Sequence, residues 1–264
     1  MVDISSLGYR TDLKLLELAG SELTDRGEYV VVRTPGNPGF WWGNYLLFRS
    51  PFTAVGVADR LALFGSEFPE AKHVAFGIDS VDGVVGAEDE LAAAGFDLER
   101  NTVMTASQVT EPARPNEVAQ YRFLASNDDW EQLTGLALAT ASQEVDAGYE
   151  EFNRLRTQAC RGLVESGCAV WFGAFEGERL LASLGLVPDG QGAARFQSVQ
   201  THPDARGQGL ASTLVHRAST YGLNELGAGT LVMVADPEYL AIRIYRALGF
   251  ADTETQIQLT KPAP

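Results

Sequence analysis

Between residues 201 and 213 the chain reads THPDARGQGLAST, placing Arg206, Gly207 and Gly209 where a β-rich stretch gives way to a helical one. A helix start presents N–H groups without intrahelical partners and about half a positive charge from aligned peptide dipoles, so it favours an anion. Without Cβ atoms the two glycines let backbone approach a phosphate closely, and at positive φ they turn successive amides toward it. The amides of Gly207, Gln208, Gly209, Leu210, Ala211 and Ser212 are the candidate donors, and Arg206 adds a charge-assisted contact. A Walker loop requires Lys and then Ser or Thr after its last glycine, whereas Gly209 is followed by Leu210 and Ala211. A dinucleotide fingerprint, with Ser212 as its third small residue, requires a βαβ setting, and a meander precedes this loop. The plain alternative is a hairpin-to-helix joint with a solvated arginine.

Other chemistry is sparse. His73, His202 and His216 form no ligand cluster with Cys160 and Cys168, and the two cysteines stand too far apart for CxxC chemistry, so no metal site and only free thiols, buried or half-buried, are expected. A formal charge of -15 repels nucleic acid and anionic lipid while drawing in small cations such as amines. The opening residues show no basic segment followed by an apolar stretch, and no run is long enough to span a bilayer; a cytoplasmic, reducing location is expected.

The elements that must position the loop follow from periodicity. After a Pro-rich seam, TEPARPNEVAQ (110–120), VAQYRFLA reads as a strand, DWEQLTGLALATA as a helix begun by Asp128 or Asp129, and YEEFNRLRTQACRGLVES as a second helix. AVWFGAF, LLASLGLV and ARFQSVQT form an antiparallel meander through the turns EGER and PDGQG. A helix follows with Leu210, Leu214 and Ala218 in line, then the strand TLVMVAD. A helix from Pro237 with Leu240, Ile244 and Leu248 in line and a closing strand, TETQIQLT, complete the order βααβββαβαβ. The first half ends in the same grammar: strand HVAFGID, helix EDELAAAGFD, strand RNTVMTAS. Gly95-Phe96 matches Gly249-Phe250 and Asp79 matches Asp236, which marks a diverged duplication. The expected division is a degenerate domain over 1–111 and a complete one over 112–264.

VQTHPDARGQGLA resembles the acyl-CoA loop of the GNAT superfamily of N-acetyltransferases, with Arg206, Gly209 and Ala211 at the places of its pattern. The element order of residues 118–260 and the YRALGF ending are similar to that fold as well. The resemblance implies an α/β (α+β) protein with two GNAT-like domains, as in tandem members, each a mixed, mostly antiparallel twisted sheet flanked by helices. It also implies acetyl-CoA (coenzyme A) as cofactor, whose pyrophosphate occupies the loop. Phe196 and Val199 stand three apart, which breaks strand alternation; either an edge irregularity or a bulge accounts for it. The resemblance implies a bulge that splays this strand, so that Val199, Gln200 and Thr201 border the pantetheine arm and the Val199 N–H faces the thioester oxygen. Tyr245 is implied as the proton donor to the departing thiolate; a phenol of pKa about 10 suits a thiol of about 8.5. Helical spacing leaves it either facing the gap or edging the core. Asp236 either stands near the cofactor or caps the helix starting at Pro237. Gln197 replaces the Glu that many relatives carry, so no general base is evident; Glu144 and Asp146 of the loop QEVDAGYEE are substitutes.

In the first half the aligned segment, RSPFTAVGVADRLALFG, lacks Arg-Gly-x-Gly and is not expected to hold pyrophosphate. That half lacks an obvious pair of opening helices. Trp41 and Trp42, read on a strand, point to opposite faces, one toward the core and the other toward an interdomain contact or a substrate. The expected function is transfer of an acetyl group from acetyl-CoA to a small-molecule amine by direct attack in a ternary complex, by a monomer or homodimer. The alternative is a noncatalytic acyl-CoA sensor. Aminoacyl transfer from a charged tRNA conflicts with the acidic charge.

Overall fold

The computed structural model describes residues 2–142 and 144–262. They form seven α-helices and eleven strands, grouped into two compact units. Neither unit is one continuous stretch: residues 2–103, 234–237 and 252–262 form the first, residues 104–233 and 238–251 the second.

The first unit carries α1 (Leu7–Leu18), β1 (Glu22–Asp25), β2 (Tyr29–Arg33), β3 (Tyr45–Phe48), α2 (Gly56–Glu67), β4 (His73–Ile78), α3 (Glu88–Ala93), most of β5 (Asp97–Ala106) and nearly all of β11 (Ala251–Pro262). Its strand order is β1-β2-β3-β4-β11-β5, so the last strand of the sequence enters beside β4, antiparallel, with Ile257 opposite Ile78. Alternation fixes the two faces: Val30 and Val32 join Tyr9, Leu13 and Leu16 of α1, while Val31 joins Phe48, Phe76 and Ile78 in an aromatic-rich core. One opening helix is therefore present in this half. Trp41 and Trp42 lie on a 3-10 turn (Trp41–Gly43), not a strand, so the opposite-face expectation does not apply. Trp41 stacks on buried His73 at 5.2 Å and Trp42 meets the edge of Tyr45 at 5.4 Å.

The second unit carries β6 (Gln120–Phe123), α4 (Asn127–Ala139), α5 (Ala147–Glu165), β7 (Val170–Glu176), β8 (Arg179–Pro188), β9 (Ala193–Thr201), α6 (Leu210–Asn224), most of β10 (Thr230–Ala235) and α7 (Ala241–Ala247). Its strand order is β10-β9-β8-β7-β6. Trp171 and Phe175 of β7 pack under α4 with Trp130, Leu133 and Leu136, whereas Phe172, one residue on, faces Tyr221 of α6. Helices α4 and α5 thus cover one face and α6 the other. Helix α4 begins at Asn127, ahead of both Asp128 and Asp129: Ser126 is the cap, and Asp129 closes a capping box while holding Arg122 through paired 2.7 Å bonds. Helix α7 begins at Ala241, not Pro237, so Asp236 does not cap it. Its buried residues are Ile242 and Tyr245, followed by the buried cap residue Leu248, and Leu240, expected in line, is 66% exposed. No helix among the described residues is long and apolar enough to cross a membrane, and they hold no cluster of three or more metal-ligating side chains.

Candidate functional site

Strand β9 breaks step in its middle. Gly185 pairs with Gln197 but Ser183 pairs with Gln200, so one extra residue is accommodated between them, and Ser198 takes a left-handed φ of 49°. This is the bulge that the GNAT resemblance implied, and it decides between the two readings that the spacing of Phe196 and Val199 left open. Parallel pairing of β9 with β10 covers only Ala193–Arg195 against Thr230–Val232. From Phe196 to Thr201, β9 has no β10 partner, and Gln197, Ser198, Val199, Gln200 and Thr201 are all half-buried. The His202 N–H donates to the Leu181 carbonyl at 2.8 Å, so the neighbouring Ala182–Thr201 pair is a non-hydrogen-bonded one. The Thr201 N–H therefore points away from β8, toward the unpaired edge.

Beyond β9 a 3-10 turn (Pro203–Ala205) leads through exposed Arg206 to Gly207 and Gly209, at φ 75° and 77°, and α6 starts with Gly209 as a cap lacking a side chain. The two glycines are needed for different reasons. A Cβ on Gly207 would meet nothing, so only its backbone angle matters, whereas one on Gly209 would also sit 2.6 Å from the Arg114 carbonyl oxygen. The first helical bond runs from Thr213 N–H to Gly209 O, which leaves the amides of Leu210, Ala211 and Ser212 without intrahelical acceptors. Leu210 turns its side chain into the core, so it offers the site its N–H alone.

Asn116, which sequence reasoning missed, ties the seam to this loop. Its side chain donates to the Gln208 carbonyl at 2.9 Å and its N–H donates to Thr213 Oγ1 at 2.8 Å. Thr213 in turn donates to the Gly209 carbonyl at 2.9 Å, so both loop carbonyls are engaged by protein donors and the amides remain. A residue type common in turns carries no signal for this role.

Tyr245 is buried, on the core side of α7 rather than edging it. Its ring meets Phe250 at 6.5 Å, and Phe250 meets Phe196 at 5.9 Å, two residues before the bulge. Burial raises the phenol pKa well above its usual value, so the hydroxyl keeps its proton. Asp236 is exposed in the turn after β10, within the segment grouped with the first unit. Asp146 caps α5 by accepting from Tyr149 N–H at 2.7 Å, Glu144 is exposed, and Gln143 of the same loop lies outside the described residues. Among the described residues no carboxylate bonds Gln197 or Ser198. The partner of Ser198 is Arg156 of α5, whose Nη2 donates to Ser198 Oγ at 2.8 Å; Gln200 Nε2 donates to Thr140 Oγ1 at 3.1 Å. Arg156 was also missed, although a charge at the inward spacing Tyr149, Phe152, Arg156 was a readable signal.

Residues 128–250 match the acetyltransferase (GNAT) family model. This segment is a GNAT domain. The solved structures similar to the chain include a functionally unknown conserved protein from Staphylococcus epidermidis, 11% identical with a TM-score of 0.74, covering 93% of this chain and 96% of that one. A GCN5-related N-acetyltransferase from Kribbella flavida is 17% identical at TM-score 0.68, over 98% and 97%. A tandem GNAT protein from the clavulanic acid biosynthesis pathway is 16% identical at TM-score 0.53, over 79% and 71%. These likenesses establish the fold. No curated protein matches the chain significantly. As a family, GNAT proteins are acyl-CoA-dependent acetyltransferases, and the uncapped start of α6 fits the pyrophosphate of such a cofactor.

Proposed function

We propose that the protein is an acetyl-CoA-dependent N-acetyltransferase acting on a small amine by direct attack in a ternary complex. The observation that carries this reading is the succession, along one piece of chain, of a bulged and unpaired strand edge followed by an uncapped helix start flanked by two left-handed glycines. The amides of residues 207–212 bind the diphosphate, assisted by Arg206, and these local contacts outweigh a net charge screened over about 8 Å. The Thr201 N–H holds the pantetheine arm along β9. Bound acetyl-CoA supplies an activated acyl group. The Val199 N–H stabilises negative charge developing on the acyl oxygen, and the Tyr245 hydroxyl holds a proton for the departing sulfur.

Cys160 packs against the α4–β7 core, where burial pushes its thiol up to about 11, so it is not an acyl carrier in this reading. The first half is noncatalytic in this reading, because the corresponding strands β3 and β4 stay paired to their ends. The lack of a carboxylate on Gln197 or Ser198 favours a second reading, an acyl-CoA sensor.

Calorimetry with acetyl-CoA, followed by thiol release across a panel of primary amines, separates the two. Binding with release on at least one amine is the expected result. Binding without release on any amine makes the protein a sensor, and absence of binding overturns both readings.

A further inference from the structure

Arg156 is out of keeping with the other arginines of its helix. Arg154, exposed, and Arg161, half-buried, each pair with a carboxylate of the same helix, Glu151 and Glu165, at 2.6 and 2.7 Å. Arg156 is half-buried beside β9, and the residues three and four away on α5 are Phe152, Asn153, Ala159 and Cys160, none acidic. Its hydrogen bond goes to the neutral hydroxyl of Ser198, and no described carboxylate lies within ion-pair distance of it. In a chain of net charge -15, a half-buried guanidinium with one neutral acceptor leaves most of its five donors for something else. It stands at the bulge itself, one residue from Val199. Tyr149 and Phe152 continue the same face of α5 as half-buried aromatics, 5.7 Å apart and one to two turns before Arg156.

We propose that Arg156 is the subsite for a carboxylate on the amine acceptor, so that the substrate class is an amino acid with an apolar side group lying against Tyr149 and Phe152. The inference rests on the acetyltransferase reading. A carboxylate matches the planar fork of a guanidinium in two parallel bonds, and fixing it beside the bulge places an amine a few bonds away next to the acyl site. The overall acidic field works in the opposite sense: it favours a cationic amine over a zwitterion. A preference for the acid therefore has to come from a local cation.

The probes are phenylalanine and leucine against phenylalaninamide and leucinamide, titrated calorimetrically into the protein with and without coenzyme A and then assayed for thiol release with acetyl-CoA. The acids are expected to bind about 10-fold or more tightly than the amides. Arg156→Gln is expected to raise KM for the acids about 10-fold or more, to leave KM for the amides and the acetyl-CoA affinity unchanged, and Arg156→Lys to recover part of the preference. If the amides bind the wild-type protein as well as the acids, the subsite is refuted without recourse to any variant. Equal loss of turnover on acids and amides in Arg156→Gln, reproduced by Ser198→Ala, shows that Arg156 only braces the bulge and refutes it too. Acid-selective binding without thiol release leaves the carboxylate subsite standing and removes the transferase reading instead.

Discussion

Strands β3 and β4 of the first unit and β9 and β10 of the second occupy the same place in two copies of one element order, strand, helix, parallel strand, helix, strand. They are treated in opposite ways. Pairing of β3 with β4 runs through Phe48 opposite Ile78, and the Asp79 N–H closes the end on the Phe48 carbonyl at 2.8 Å. The chain leaving β3 is packed down: Phe52 donates its N–H to the Val85 carbonyl at 2.7 Å, and Arg60 lies 4.1 and 4.2 Å over the rings of Phe48 and Phe52. Helix α2 then starts without a left-handed glycine, its Gly56 N–H already taken by Thr53. In the second unit β9 parts from β10 after three residues, is bulged at Ser198, and leads to a helix start that two left-handed glycines leave bare. On the proposed reading, a binding edge on this topology is made by withholding hydrogen bonds, and the same edge is retired by supplying them and filling the space with aromatic side chains.

The contrast is broken most severely at its glycines. Gly209→Val forces a β-branched residue to positive φ and drives its Cβ against the Arg114 carbonyl. Acetyl-CoA affinity is expected to fall about 100-fold or more by calorimetry, with about 1–3 kcal/mol lost in denaturant unfolding. Gly207→Ala meets no neighbour and isolates the backbone effect, costing about 1 kcal/mol. Gly56→Ala, at the matching helix start of the first unit, is expected to change acetyl-CoA affinity not at all. Normal binding by Gly209→Val would remove the α6 start as the anion site.

A second pair of substitutions exchanges binding for stability. Arg206→Glu replaces an exposed cation at the loop and is expected to weaken acetyl-CoA binding about 10-fold, more at low salt, with an unchanged thermal midpoint. Arg60→Glu removes the cation stacked on two aromatic rings and bonded to the Ser50 and Pro51 carbonyls. It is expected to cost about 1–3 kcal/mol of stability while leaving binding intact. Within the second unit, Tyr245→Phe is expected to lower kcat about 10-fold or more without weakening cofactor binding. Because burial raises the Tyr245 pKa, its ionisation sets no basic limb of the wild-type pH profile up to about pH 10.

How much of this was legible in the sequence depends on whether the signal was local. The Arg206–Gly209 loop, the element order of the second half and the misfit between Phe196 and Val199 are local patterns; the glycine angles follow from the first, while the misfit left an edge irregularity and a bulge both open until the strand pairing decided for the bulge. Asp128 or Asp129 stood out as the start of α4 because carboxylates favour first turns, yet Ser126 three residues earlier completes the box with Asp129. Trp41 and Trp42 read as strand because aromatics are enriched there, and the preceding Asn37-Pro38-Gly39 turn was the overlooked cue for a tight coil. Asn116 and Arg156 act on residues 92 and 42 positions away, and the entry of β11 beside β4 joins strands nearly 180 positions apart. No window along the chain displays such pairings.

The smallest expected effect concerns another helix start that a carboxylate approaches, that of α1. There the anion belongs to the protein: Glu254 accepts from the Leu7 and Gly8 N–H groups at 3.1 and 3.2 Å and from Ser6 Oγ at 3.0 Å, while Asp79 accepts from Ser5 and Ser6 N–H at 2.9 and 2.8 Å. Glu254→Gln keeps the shape and one acceptor oxygen but removes the charge facing the helix dipole. It is expected to cost about 0.5–1 kcal/mol in denaturant unfolding, an amount that shrinks as salt is added, and to leave acetyl-CoA affinity unchanged. If helix starts in this chain attract coenzyme merely by being starts, removing the resident carboxylate should create a second binding event in the calorimeter. One event of unaltered affinity instead means that left-handed glycines and an unpaired strand edge, present before α6 and missing before α1, are what separate a ligand site from a cap.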